Sequence, residues 1–203
     1  MSAKLGLDFE TNKLDFLAPA GYFLGLHIRF TSPLMTFSTY PKSWMDHYTA
    51  QGYAMRDPII AWGFSETGTI RWSEIPVPDP FEIMRQASDY GMAFGASISI
   101  GELTSRTIGS VSRDDREFTD AEISEVKQVV TRLHNLVRPP DALTDAQKEA
   151  LQLVGDGLRH NEAAKRLGIS ESALKARLTT ARSKLLARTT AEALQRAKQY
   201  NLL

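Results

Sequence analysis

Residues 161–185 read NEAAKRLGISESALKARLTTARSKL, and this stretch decides the fold of the C-terminal part of the chain. Apolar positions within residues 163–167 share one side of a short helix that Gly168 ends. Ser170 is a favourable N-cap for a second, longer helix. In that helix the apolar residues recur every three or four positions, which predicts a half-buried helix; they are Leu174, Leu178, Ala181 and Leu185.

A short helix, a tight turn and a longer basic helix form a helix-turn-helix arrangement, whose second helix can lie in the major groove of DNA. Seven basic residues and one acidic residue, Glu171, fall between Lys165 and Arg188. Such a surface suits phosphate groups, and binding through it weakens as the salt concentration rises. Charge alone also fits an ordinary solvent-exposed helix face, so both interpretations stay open at this point.

Capping patterns predict one further helix on each side of this pair. Thr144 with Gln147 three residues later is a capping box for a helix that Gly157 ends. Thr189 with Glu192 opens a last helix that runs to about Tyr200. The C-terminal segment is therefore predicted to be an all-α domain of four helices.

The composition of the chain changes at Pro139-Pro140. Before Asp141 there are 13 basic and 17 acidic residues, a net charge of −4, and from Asp141 onward 11 basic and 7 acidic residues, a net charge of +4. Seventeen of the 18 aromatic residues precede the two prolines. Because prolines stiffen the chain, this point is typical of a linker. We predict a domain at residues 1–138, a linker at 139–142 and a second domain at 143–203.

The N-terminal segment alternates strand-like and helical patterns. Its predicted strands are residues 21–30, 35–39, 95–100 and 107–112. The last two strands form a hairpin with Gly101 and Glu102 near its turn. The predicted helices of this part are residues 41–55 and 86–94. Thr119 and Glu122 cap a final helix. The apolar stripe of that helix, from Ile123 to Val137, either packs on the sheet or forms a dimer surface. The pattern predicts an α+β fold, an α-β-α sandwich with an antiparallel sheet.

Composition excludes several classes of protein. A chain without cysteine has no disulfides, thiolate metal sites or cysteine nucleophiles. No apolar run approaches the ~20 residues needed to cross a bilayer, and the N-terminus has no signal pattern, so we expect a cytoplasmic protein without a membrane partner. The four histidines lack metal-ligand spacing, and neither a phosphate-binding loop nor a nucleophile elbow occurs. We therefore expect no metal site, no catalytic residues and no enzyme activity.

Three aromatic residues with polar tips, Tyr40, Trp44 and Tyr48, recur every four residues, so they share one side of the predicted helix. Pro58 ends that helical stretch and holds Asp57 extended, with its carboxylate turned toward the aromatic residues. A buried carboxylate needs a donor, and an N–H group of a bound ligand would be a suitable one. By themselves, however, these residues are more typical of a core stripe and a helix stop.

Two parts of the chain together resemble the LuxR-type transcription regulators of quorum sensing. The C-terminal part is similar to their helix-turn-helix domain in Leu143-Thr144, Glu149-Ala150-Leu151, Gly157, Asn161-Glu162-Ala163-Ala164, Leu167, Ile169-Ser170-Glu171, Leu174-Lys175, Leu178 and Lys184-Leu185. The N-terminal part is similar to the autoinducer-binding domain of acyl-homoserine-lactone receptors in Tyr40, Trp44, Tyr48, Asp57-Pro58, Trp72 and Gly95. Residues 174–185 also resemble region 4 of sigma factors, which keeps a different promoter-binding role open.

The resemblance implies that the ligand is an N-acyl homoserine lactone. Trp44 would donate its indole N–H to the lactone carbonyl, and Asp57 would accept the N–H of the ligand amide. Tyr40 or Tyr48 would contact the acyl carbonyl or cover the acyl chain, and Trp72 would pack against the lactone ring. Ser110 would add a hydroxyl group that hydrogen bonds to the ligand. Weaker candidates for contact with the acyl chain are Tyr53, Trp62 and Ile98.

The resemblance also implies double-stranded DNA as a partner and no cofactor besides the ligand. Lys175 and Thr179 would reach base edges, while Arg177, Arg182 and Lys184 would contact phosphates. A homodimer would span two half-sites of an operator. Two alternatives stay open: a regulator that senses another small molecule or no ligand at all, and an interaction module that titrates another regulator without binding DNA.

Overall fold

The chain folds into two compact units, Met1–Arg138 and Pro139–Leu203. The residues that the computed structural model describes are 3–29, 32–137 and 142–203. The predicted linker prolines, Pro139 and Pro140, lie outside the described residues, as does Phe30 at the end of the first predicted strand. Within the described ranges, no helix is long and apolar enough to span a membrane.

The N-terminal unit is built on one five-stranded antiparallel sheet. The strands are β1 (Gly21–Ile28), β2 (Met35–Ser38), β3 (Gly68–Arg71), β4 (Phe94–Ile100) and β5 (Arg106–Arg113). Their order across the sheet is β2-β1-β5-β4-β3, and every neighbouring pair is antiparallel. All eight residues of the central strand β5 are buried, which requires a layer of other elements on both faces of the sheet.

Helices supply these two layers. They are α1 (Ala3–Leu17), α2 (Lys42–Ala50), α3 (Pro58–Ser65), α4 (Ile83–Ser88) and α5 (Asp120–Leu136). A Cβ atom on Gly109 of β5 would lie 3.7 Å from Val130 of α5, whereas the neighbouring Ile108 contacts Gly63 of α3. Because successive strand residues point to opposite faces, α5 and α3 cover opposite faces of the sheet. The predicted α-β-α sandwich is confirmed.

The apolar stripe of α5 packs inside the unit. Thr119 and Glu122 form the predicted capping box at its start. The stripe residues are at most 6% exposed; they are Ile123, Val126, Val129, Val130 and Leu133. Since this surface is already covered by the sheet and by α1, the alternative in which the stripe forms a dimer surface is wrong.

Several N-terminal elements differ from the prediction. The helix predicted for residues 41–55 ends at Ala50, because Gly52 adopts a left-handed φ of 64°, and the chain continues as a 3₁₀ turn. Pro58 does not only stop a helix: it occupies the first turn of α3, where its missing N–H costs nothing. The helix predicted for residues 86–94 is α4, which ends at Ser88, so Phe94 already belongs to β4.

The C-terminal unit consists of helices packed around one apolar core. Its helices are α6 (Asp145–Gly155), α7 (His160–Arg166), α8 (Glu171–Lys184) and α9 (Thr190–Gln199). The side chains of Thr144, Ser170 and Thr189 cap α6, α8 and α9 as predicted. The stripe of α8 from Leu174 to Leu185 is at most 4% exposed. The predicted four-helix domain with a helix-turn-helix, α7 followed by α8, is confirmed.

Candidate functional site

A cavity of about 580 Å³ lies in the N-terminal unit, on the face of the sheet that α3 covers. Residues of β1, α2, α3, α4 and β5 contribute to its wall, which is mostly apolar. Prominent apolar wall residues are Phe23, Ile28, Ile60, Phe64, Ile83 and Ile108. A concave apolar space with a few polar groups is the usual form of a small-molecule site.

Asp57 contributes a carboxylate to the wall of this cavity. Its Oδ1 accepts the backbone N–H of Ile59 at 2.7 Å and so caps α3, while its Oδ2 accepts the phenolic O–H of Tyr48 at 2.7 Å. Asp57 is only 8% exposed. Burial raises the pKa of Asp57 above its usual range, although both hydrogen bonds oppose this shift. Burial and the nearby carboxylate likewise raise the pKa of Tyr48.

Trp72 forms another part of the wall and is held by a hydroxyl of the central strand. Its indole Nε1 donates to Ser110 Oγ at 3.0 Å, and both residues are buried. The ring lies directly against Gly95 of β4, where a Cβ atom would come within 2.1 Å of the indole. Glycine at position 95 is therefore what allows the indole to take this position.

Tyr40 and Trp44 complete the polar side of the cavity. Tyr40 precedes α2, so it does not share the helix with Trp44 and Tyr48 as predicted; its Oη instead donates to the carbonyl oxygen of Ser110 at 3.1 Å. Burial raises the pKa of Tyr40. Trp44 is 4% exposed, and its ring lies 5.7 Å from that of Tyr48 and 5.3 Å from that of Tyr90. These contacts fix the indole in the wall.

The structure brings all six predicted ligand-binding residues to this one cavity. They are Tyr40, Trp44, Tyr48, Asp57, Trp72 and Ser110. Because they come from α2, α3, β5 and the segments beside them, they are separated by as much as 70 positions in the sequence. Their individual contacts with a ligand stay predictions.

The three weaker candidates do not line the cavity. Tyr53 points its hydroxyl at the side chain of Gln86 instead, at 3.1 Å. Ile98 pairs with Gly109 and so lies on the α5 face of the sheet, away from the cavity. Trp62 is buried within α3 but is not part of the wall.

Sequence patterns gave no signal for many other wall residues, such as Pro33, Ile59, Phe64, Met84 and Ile108. Each is an ordinary apolar residue in its own element. Only the tertiary arrangement, in which β1, β5, α3 and α4 enclose one space, distinguishes them from core residues.

The histidines show how distant residues meet without forming a metal centre. The rings of His27 and His134 stack with centroids 4.1 Å apart, beside Ser105 and Thr107, which hydrogen bond to them at 2.7 and 2.8 Å. Burial, and secondly the neighbouring His27, lower the pKa of His134 to about 4. In the part of the chain that the structure describes, no group of three or more His, Cys, Asp or Glu residues could hold a metal ion.

A second candidate surface is the exposed side of α8. Ser172, Thr179 and Ser183 are exposed, and their spacing of seven and four residues places them along the centre of this side. Lys175 lies beside Thr179 and forms a 2.7 Å ion pair with Glu171. This side is opposite the buried stripe, so α8 can present it to a partner without unfolding the unit.

The five predicted DNA-binding residues do not share one side of α8. At about 100° per residue, Arg177 and Lys184 lie roughly half a turn around the helix from Lys175. Arg182 lies on the Lys175 side, and its guanidinium donates to Thr179 Oγ1 and to the carbonyl oxygen of Arg188, both at 3.3 Å. The cations therefore flank the exposed serine and threonine side chains on both edges, as a helix between two phosphate backbones requires.

Known families match both units. A family model described as "Autoinducer binding domain" matches residues 28–138, more than half of the chain. A model described as "Sigma-70, region 4" matches residues 141–185, so the resemblance seen in residues 174–185 covers most of the C-terminal unit.

Individual proteins match along most of the chain. The quorum-sensing regulator RhlR of Pseudomonas aeruginosa is 30% identical over 181 residues, covering 82% of this chain and 75% of RhlR. The transcriptional activator SolR of Ralstonia nicotianae is 27% identical and covers 82% of this chain and 77% of its own. The crystal structure of Escherichia coli SdiA has the same fold, with a TM-score of 0.55 at 20% identity, covering 100% of this chain and 92% of SdiA. The chain belongs to the LuxR-type family of quorum-sensing transcription regulators, which are not enzymes.

Proposed function

We propose that this regulator binds an N-acyl homoserine lactone in the cavity of its N-terminal unit and, as a cytoplasmic homodimer, binds operator DNA through α8. The observation that carries the ligand proposal is the buried carboxylate of Asp57 in a mostly apolar wall, because its two oxygens can accept a donor beyond the two that they already have. Such a carboxylate is costly unless donors satisfy it. The lactone amide N–H is a donor that an apolar tail can carry into this space.

The proposed pose takes its contacts from the family resemblance, and the cavity wall contains all the residues that it needs. Asp57 accepts the ligand amide N–H, and Trp44 donates its indole N–H to the lactone carbonyl. The hydroxyl group of Tyr40 or Tyr48 is the proposed donor to the acyl carbonyl. Trp72 covers the lactone ring, and the Ser110 hydroxyl, which already accepts from Trp72, keeps its own proton for the ligand.

Thermal unfolding of the full chain with a panel of acyl-homoserine lactones tests the ligand proposal. A ligand that binds only the native state raises the melting temperature. At a ligand concentration a hundred times Kd, the free energy of unfolding increases by about 2.7 kcal/mol. We expect a rise that depends on chain length and is lost in Asp57→Asn. Asn retains the cap of α3, so this variant should fold.

Asp46→Asn is the matched control, because Asp46 is an exposed acid of α2 that pairs with Lys42 at the surface. It should keep the full ligand response. Octanoyl glycerol, which has an acyl tail but no amide N–H, should stabilise the protein less than octanoyl homoserine lactone. If no lactone shifts the melting of folded protein, the site serves another ligand or none, and the lactone proposal fails.

The DNA and dimer proposals have separate support. The exposed side of α8 carries hydroxyls at its centre and cations at both edges, which suits base edges between two phosphate backbones. On α1, Phe9 and Phe16 lie seven residues apart, two helical turns, and are 57% and 93% exposed. Such a patch is favourable for contact with a second copy of this chain. A symmetric dimer would present two copies of α8 to two half-sites.

A further inference from the structure

The ligand cavity opens to solvent beside the 3₁₀ turn that follows α2. Four of its described wall residues are exposed: Ala54 and Met55 in this turn, Arg56 directly after it, and Ala61 of α3. Met55 is 84% exposed although it lines a mostly apolar space. A residue that contacts both the cavity and solvent marks the mouth of the cavity. Residues 54–56 therefore form one side of this mouth.

The other side of the mouth is the segment that leads into α4. The guanidinium of Arg56 lies over the ring of Phe81, with Cζ 4.7 Å from the ring centroid. Phe81 is 42% exposed, and two residues later Ile83 of α4 already lines the cavity. The cation–π contact thus connects one side of the mouth to the other. At an exposed position such a contact is weak, so it can break and form again readily.

The side chain of Gln86 in α4 joins the same two sides by hydrogen bonds. Its Oε1 accepts the phenolic O–H of Tyr53 at 3.1 Å and the Nε2–H of His47 at 2.9 Å. Its Nε2 donates to the carbonyl oxygen of Phe81 at 2.9 Å. One amide group therefore binds α2, the 3₁₀ turn and the segment before α4.

The mouth is held in a different way from the sheet side of the cavity. There, β1 and β5 pair through a ladder of backbone hydrogen bonds. At the mouth, side chains connect the short 3₁₀ turn to a segment that precedes a helix. Regions with few such contacts open at a lower free-energy cost than a paired sheet. Because three of these bonds share the side chain of Gln86, displacing this side chain releases both sides of the mouth together.

We propose that Gln86 is a positioning residue that keeps the mouth of the cavity closed, together with the contact between Arg56 and Phe81. The inference rests on the proposed function, since the ligand that enters and leaves is the lactone. These contacts do not involve the polar wall residues of the proposed pose. The same contacts therefore close the mouth with and without ligand. Their loss should raise the association and dissociation rates by the same factor and leave Kd unchanged.

Stopped-flow fluorescence of the full chain with octanoyl homoserine lactone tests the inference, because Trp44 and Trp72 lie in the cavity wall. Gln86→Met removes all three bonds and should raise both rate constants at least about threefold, the effect of one hydrogen bond of ordinary net strength. Arg56→Met should raise both about twofold to fivefold. Gln128→Met changes an exposed glutamine of α5, on the other face of the sheet, and should leave both rate constants unchanged.

Tyr53→Phe is a milder variant that removes one hydroxyl and keeps the ring, so the test does not depend on the folding of Gln86→Met. It should also raise both rate constants. A residue that only stabilised the fold would change the melting temperature and Kd without accelerating association. The inference is overturned if neither Gln86→Met nor Tyr53→Phe associates faster than wild type, or if the dissociation rate alone rises. The proposed function then still stands, since the lactone binds.

Hydrogen exchange in the ligand-free protein gives a measurement that needs no lactone. In Gln86→Met and Tyr53→Phe the backbone amides of residues 53–56 and 81–86 should exchange faster than in wild type, whereas those of α5 should exchange at the wild-type rate. If no lactone binds, the proposed function fails, and this comparison alone decides about Gln86. Wild-type exchange at the mouth in both variants would then overturn the inference.

Discussion

Substituting Gly95 by alanine should displace the indole of Trp72 and unfold the ligand site. The new Cβ would lie 2.1 Å from Cε2 and 2.2 Å from Cδ2 of the ring, against the 3.4 Å at which ordinary contact begins, so the indole must move by about 1.3 Å or the strand must give way. Overpacking of this kind costs about 1–3 kcal/mol. The shift also breaks the bond to Ser110, and an unsatisfied buried N–H costs about 1–3 kcal/mol more.

The expected loss, about 2–6 kcal/mol, is a large part of the stability of a domain. With a urea dependence of about 2 kcal/mol/M, the unfolding midpoint should fall by roughly 1–3 M. All three tryptophans belong to the N-terminal unit, so their fluorescence reports this unit alone. The rise in melting temperature that a lactone causes should also be smaller in this variant.

Two comparisons make the reasoning on Gly95 refutable. Gly6→Ala in α1 would make only ordinary contacts, at 3.5 Å from Leu136, and should stabilise by about 0.5–1 kcal/mol, because glycine is unfavourable inside a helix. In a Trp72→Ala background, Gly95→Ala should cost far less, since its clash partner is gone. If Gly95→Ala unfolds at the wild-type midpoint, or costs the same with and without Trp72, the indole does not depend on this glycine.

Three further predictions concern pH, DNA and assembly. The pKa of His134 is lowered to about 4, so the unfolded chain takes up the proton first, and stability present above pH 6.5 should be lost as the pH falls toward 4. The difference between the urea midpoints at pH 7 and pH 5 should therefore be smaller in His134→Gln than in wild type. An equal difference would show that His134 does not cause the pH dependence. Lys175→Ala should weaken operator binding in fluorescence anisotropy by about 1–3 kcal/mol and relax the preference for the operator over unrelated DNA, unlike Lys148→Ala on α6, and unchanged binding would reject α8 as the reading helix. Phe16→Lys should lower the mass seen by light scattering from dimer to monomer, whereas an unchanged dimer would place the contact elsewhere.

The C-terminal unit could be predicted almost completely from its sequence, because its signals are local. Thr144, Ser170 and Thr189 cap their helices through hydrogen bonds to residues only three positions away. The stripe of α8 repeats at the helical period and is buried as expected. What the sequence did not reveal is that the Arg182 guanidinium donates to Thr179 and to the carbonyl oxygen of Arg188 rather than pointing freely outward.

The N-terminal unit was predicted in class but not in detail. α5 has a strong periodic pattern, whereas α1 has its Phe16 almost fully exposed and so lacks a clean apolar stripe. α3 was missed because Pro58 was interpreted as a stop, although proline is equally favourable at a helix start.

The site residues themselves came from the family resemblance. Their patterns alone did not separate a cavity wall from a core, because that distinction depends on an empty space enclosed by several elements.

The role of Asp57 in the fold suggests how a small molecule can act on the whole N-terminal unit. One carboxylate oxygen caps α3 and the other accepts from Tyr48 of α2, so this one group joins two of the helices that line the cavity. Its raised pKa means that keeping the charge buried costs stability. A ligand amide N–H would lower that cost, and the acyl tail would at the same time fill apolar space that otherwise lacks packing partners. Ligand binding and folding of α2 and α3 are then coupled through the same atoms, so the Asp57→Asn variant should lose the ligand response while its ligand-free form unfolds at or above the wild-type temperature.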